Sequence, residues 1–204
     1  MADEEEVATM ENISLVRVGG VCAILAVVSG IMARIFFGSG DLVTGHWFDF
    51  LYGLLCMPAA LGFYRALDEA GAVLRIALAA FVTGIIFSLF HEFVRLGISY
   101  ELVPDTLGPT GWLAAGVGGV LIVGVGVPLF SFVILRTSVV PKWIGWLGMI
   151  VVVAHVALGA VLSGVFESIR PPWLIALGTQ MAWVLAMGVV LLRLKEPAAA
   201  DSLA

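Results

Sequence analysis

Apolar residues in this chain come in long unbroken runs, not in the narrow stripes of a water-facing helix. Six stretches approach or exceed spanning length, at 14–37, 47–66, 72–95, 112–135, 143–164 and 172–192. About 18 apolar residues is the length that separates a membrane span from a buried core helix. Turn-forming residues stand between the runs: Gly38-Ser39-Gly40-Asp41, Asp68-Glu69-Ala70-Gly71, the long segment from Ile98 to Gly111, and Ser138 to Lys142. Pro171-Pro172 opens the last run, where a missing N–H costs nothing. Lipid offers no partner to a backbone polar group, so only helices and closed barrels cross it. The runs lack the alternation of barrel strands. The pattern therefore predicts an all-α polytopic bundle of six transmembrane helices over 14–195. A disordered acidic tail at 1–13 and a short tail at 196–204 flank it.

Composition agrees with that pattern. Of 204 residues, 61% are hydrophobic and only 12% charged, with a mean hydropathy of +1.11. A soluble domain carries about twice that charge. The net charge of −5 comes largely from Asp3-Glu4-Glu5-Glu6 and Glu11, and with no basic stripe the chain has no footprint for nucleic acid. The same acidic start lacks the positive region of a cleaved signal peptide, so the first span is expected to stay. Two cysteines, Cys22 and Cys56, cannot build a disulfide framework and are read as small core hydrophobes.

The ten basic residues divide unevenly over the connections. Arg17, Arg65, Arg75, Arg136, Lys142, Arg193 and Lys195 fall on one side, and Arg34, Arg95 and Arg170 on the other. Positive residues concentrate on the cytoplasmic face. Both termini are accordingly expected in the cytoplasm, with the loops at 38–46, 96–111 and 165–171 outside.

Small residues recur at spacings of three and four, which places them on one face of each helix. The first span carries Gly19, Ala23, Ala26, Gly30 and Arg34, and the second His46, Asp49, Gly53, Cys56 and Ala60. In the third stand Ala77, Ala80, Gly84, Ser88, His91 and Arg95, and in the fifth Gly145, Gly148, Val152, His155, Gly159 and Ser163. Each stripe ends in polar residues in the half expected to lie outside, and Gln180 sits at similar depth in the sixth span. Ionisable groups in a membrane are costly and face a bundle interior or a wet cavity. Arg34, Asp49, His91, Glu92, His155 and Gln180 are therefore the candidate lining of a polar pocket in the outer half.

Three uses of that cluster are open. The first is structural: Arg34 pairs with Asp49 or Glu92, Arg95 reaches the head groups, and His155 bonds a neighbouring helix. The second is a cofactor, a b-type haem or a metal held by His46, His91 and His155. No His-Glu-x-x-His or paired-histidine spacing supports a metal. The third is a pocket for a small molecule, a lipid or a partner subunit. Pro58, Pro128 and the glycine run Gly116, Gly118, Gly119, Gly124 and Gly126 would lend it pliability. Pro58 and Pro128 do not occupy matching places in two halves, which argues against an inverted-repeat transporter. The chain shows no Gly-x-Ser-x-Gly elbow or phosphate loop, so nothing argues for an enzyme. Trp47, Trp112, Trp143, Trp146 and Trp173 stand near span ends as an interfacial belt, and Trp183, in mid-span, is read as packing.

The stretch 130–148 contains Arg136-Thr137-Ser138 followed by Pro141-Lys142-Trp143-Ile144-Gly145-Trp146-Leu147-Gly148. It resembles small bacterial integral membrane proteins that carry a domain of unknown function. There, Pro-[Lys/Arg]-Trp-x-Gly-Trp-x-Gly opens a helix. The resemblance implies a multi-helix fold and a prokaryotic plasma membrane, with the bilayer as surroundings and membrane subunits or further copies as partners. It brings no activity and no site residues.

Overall fold

The computed structural model describes residues 2–67, 71–162 and 172–194, and side chains within 15–67, 71–158 and 175–194. The elements are α1 (Ala2–Ser39), α2 (Leu42–Ala66), α3 (Gly71–Ser99), a 3-10 turn (Asp105–Leu107), α4 (Gly108–Gly119), a π-helical segment (Val120–Gly126), α5 (Val127–Arg136), α6 (Lys142–Leu162) and α7 (Pro172–Arg193). α4, the π segment and α5 run on as one rod and form the fourth span. No strand occurs among the described residues. Five helices are long and apolar enough to cross a membrane, and the described part of α6, Lys142–Leu158, is a shorter apolar helix. The chain is an all-α polytopic bundle.

Several boundaries differ from the sequence expectation, each for a local reason. α1 begins at Ala2, so the segment expected as a disordered tail is helical ahead of the first candidate span, Leu15–Ser39; Ala, Glu and Met are all good helix formers. α2 begins at Leu42 because the Asp41 side chain accepts from the Thr44 N–H at 3.1 Å and caps it. The first connection shrinks to Gly40, at φ +88°, and Asp41. The loop expected from Ile98 to Gly111 is also shorter. α3 continues to Ser99, and Pro109 stands in the first turn of α4, where proline is tolerated. Most of the turn 68–71, the loop 165–171, Arg170 and the tail 196–204 lie outside the described residues.

The spans form a ring in chain order, closed by α7 on α1, with α2 also touching α7 and α3 touching α5. Lipid is as apolar as leucine, so close backbone approach, not hydrophobic burial, holds such helices together. Three crossings are glycine on glycine. A Cβ at Gly19 would stand 2.7 Å from the Gly62 Cα, one at Gly84 would meet the Gly118 carbonyl at 2.8 Å, and one at Gly20 the Gly188 carbonyl at 3.0 Å. Below the middle, the interior is filled by Phe63, Phe130, Phe81 and Trp183, linked by ring-centroid distances of 5.5, 5.9 and 6.4 Å. Trp183 is 1% exposed and serves packing. Trp47, Trp112, Trp143 and Trp146 are exposed as a belt requires.

Candidate functional site

The upper half of the ring, at the end of the α1–α2 turn, is hollow. A cavity of about 770 Å³ lies between α2, α3, the fourth span, α6 and α7. Arg34, Asp49, His91, Glu92, His155 and Gln180 all line it. Their helices place them there by similar offsets: Arg34 is five residues from the end of α1 and His91 eight from that of α3. At about 1.5 Å per residue they stand roughly 7–12 Å below the upper helix ends. Phe81, Ile85, Cys56 and Val123 continue the wall downward. The cavity is thus polar above and apolar below.

One ion pair and one histidine–carboxylate hydrogen bond organise the polar end. Arg34 Nη2 donates to both Asp49 oxygens, at 2.6 and 2.7 Å, joining α1 to α2. His46 Nδ1 donates to Glu92 Oε2 at 2.7 Å, joining α2 to α3. A charged group in mid-membrane costs about 2.5–3.5 kcal/mol on insertion scales. Pairing Asp49 and Glu92 at this height offsets that cost and fixes both carboxylates. The His91 ring lies with Nε2 3.8 Å from Glu92 Oε1 and its centroid 4.8 Å from that of Trp112. Its Nδ1 is buried beside Gly111 with no hydrogen-bond partner, and Arg34 Nε is unpartnered as well. Arg95 lies against Trp112, its guanidinium carbon 5.9 Å from the ring centroid.

The opposite wall is more lightly held. His155 Nδ1 donates to the Val151 carbonyl one turn back, at 2.9 Å. That bond places the ring proton on Nδ1 and leaves Nε2 without it. Gln180 Nε2 donates to the Tyr52 hydroxyl at 3.1 Å, joining α7 to α2. Tyr52 went unnoticed in the sequence, yet it follows Asp49 by three residues and precedes Cys56 by four, on the stripe of small and polar residues. Gly116, Gly119 and Gly124 also line the cavity, with Ser88. The first three are wall and not helix contacts: no neighbouring atom lies within 4 Å of a Cβ built at Gly116 or Gly119.

The three histidines do not form one ligand set. His46 and His91 meet across Glu92, with ring centroids 6.5 Å apart, whereas His155 approaches from α6. No group of three or more His, Cys, Asp or Glu suited to a metal occurs among the described residues. Cys22 and Cys56 are free thiols. No protein family, curated protein or solved structure matches the chain.

Proposed function

We propose that the protein binds a small molecule or lipid in the upper cavity, and that this end faces outward. One observation carries the reading. Six polar side chains from five spans line one hollow in the upper half, closed off below by the packed rings of Phe63, Phe130 and Trp183. The other hollow, of about 810 Å³ at the lower end beside Arg65 and Arg136, gathers no such set of side chains from across the bundle. A purely structural network would hold the helices closed around its ion pairs, and here the paired groups rim an open volume. That volume lies within the about 300–1,000 Å³ usual for small-molecule sites. The excess of basic residues at the other end supports the orientation, and the resemblance of 130–148 supports a bacterial plasma membrane.

The test is the small-molecule content of the purified protein. Organic extracts of protein taken from its own membrane in mild detergent, compared by mass spectrometry, are expected to hold one compound in constant ratio to protein. Gln180→Ala and His155→Ala should deplete it, since both side chains line the cavity without belonging to an ion pair. Identical extracts from wild type and both variants would contradict the reading.

A haem is the second reading, favoured by the His155–Val151 bond. A ring nitrogen held by a carbonyl leaves the other free for iron, the arrangement common to histidine ligands. A Soret band in the purified protein would select it over the first.

A further inference from the structure

Among the described residues, the ring that encloses the cavity is incomplete on one side. α5 packs closely on α6 across their short connection, but α4 packs on α3, and the π segment touches α6 only sparsely. The fourth span and α6 therefore diverge toward the upper end. Val120 on the π segment and Val156 on α6 both line the cavity, yet they are 66% and 68% exposed. A side chain that lines a cavity and also faces outward marks its mouth. On the fourth-span side this mouth is bare glycine backbone at Gly116 and Gly119.

The height of the mouth decides what it opens to. Val120 is 16 residues from Arg136, the lower end of its span, and Val156 is 14 from Lys142. At about 1.5 Å per residue both stand roughly 21–24 Å above the lower interface. The hydrocarbon layer is about 30 Å thick, so the mouth opens into acyl chains and not into water. A solute without an apolar part has no route through it.

The polar groups left over at the upper end narrow the class further. Asp49 and Glu92 are engaged by Arg34 and His46. What remains are the part of the Arg34 guanidinium that Asp49 does not engage, on a side chain that lines the cavity, and the second nitrogen of His155. These suit a headgroup with acceptor oxygens for Arg34 and a hydroxyl that donates to His155, whereas an ammonium would meet the Arg34 charge.

We propose that the cavity takes a single-chain amphiphile with an acidic oxygen headgroup, a carboxylic acid or a phosphate monoester, which enters sideways from the membrane between the fourth span and α6. The headgroup is held near Arg34 and His155, and the chain lies along Phe81, Ile85 and Val123. This rests on the reading that the cavity binds a ligand, and adds its class and route.

The test uses the full chain in phosphatidylcholine nanodiscs with radiolabelled palmitate, 1-palmitoyl lysophosphatidate and hexadecylamine. Wild type is expected to retain either acidic probe at least roughly tenfold better than the amine, a difference of about 1.4 kcal/mol. Gly119→Trp and Gly116→Leu add side chains at the mouth from positions where a Cβ meets no neighbour, and each should slow uptake at least roughly tenfold. Gly178→Leu, equally open but on the exposed side of α7, should leave uptake unchanged. Two mouth variants are used so that poor folding of one, seen in its melting curve, leaves the other decisive. Unchanged uptake by a folded mouth variant overturns the lateral route. Equal retention of hexadecylamine overturns the headgroup class. A water-soluble compound found in the extracts, with no retention of any probe, overturns this inference while the binding role stands. The absence of any bound compound removes both.

Discussion

At the scale of single residues, three positions test what holds this bundle. Gly19 and Gly62 are each other's obstacle: a Cβ on either would come within 2.7–2.8 Å of the other's Cα. Gly62→Val must push α1 from α2, and overpacking of this kind costs about 1–3 kcal/mol, readable as a lower melting temperature in detergent. Glu101 stands at φ +58°, where Leu102 N–H bonds the Gly97 carbonyl and Glu101 N–H the Ile98 carbonyl. That is the left-handed cap at which glycine is preferred. Glu101→Gly should therefore stabilise the protein by about 1 kcal/mol, and a lower melting temperature would contradict this. For Arg34 and Asp49, removal of one leaves the other unpaired. A double-mutant cycle with Arg34→Ala and Asp49→Ala should return a coupling of about 0.5–3 kcal/mol, and purely additive effects would show the contact to be idle. Gly19, Arg34 and Asp49 could be read from the sequence, because a small or charged residue inside an apolar run has few places to go. The partner choices could not: Glu92 takes His46, not Arg34, because α2 lies between α1 and α3.

At the scale of elements, caps moved the boundaries and a π segment shaped the site. Asp41, bonded to Thr44, has its carboxyl held below the ordinary 3.8. A depressed carboxylate lends stability above its unfolded pKa and loses it as pH falls through the folded one. Asp41→Ala should thus lower the melting temperature at neutral pH, and the two proteins should converge well below pH 3.8. A gap that persists in acid would point to a role other than capping. The glycine run of the fourth span reads as pliable in the sequence. It is a wide turn just ahead of Pro128, which stands inside the continuous rod, where the π geometry makes room for a ring that would clash with the carbonyl one turn back. Stripes of small residues predict where helices can approach. They do not predict where helices part, because glycine permits contact without requiring it. Hence Gly84 and Gly118 touch, while Gly116 and Gly119, a turn or less away, are bare wall.

At the scale of the molecule, the fold class was legible because lipid leaves helices as the only answer to these apolar runs. The polar cluster was legible because charge in such runs is scarce. The size of the hollow and its side opening were not, since they depend on how six helices splay, and no single helix records that. The proposed orientation has its own check: Ser39→Cys should react with an impermeant thiol reagent added to whole cells, and Ser138→Cys should not. The reverse pattern would put the cavity at the cytoplasmic face. The central claim is that the cavity is an occupied binding site, and its most direct test is the mass of the intact protein released gently from its native membrane. Occupancy predicts a species heavier by one ligand, lost in Gln180→Ala and His155→Ala while both variants remain folded, with a melting temperature lowered by the lost ligand. A wild-type protein that carries no added mass, or one whose adduct survives both substitutions, would contradict it.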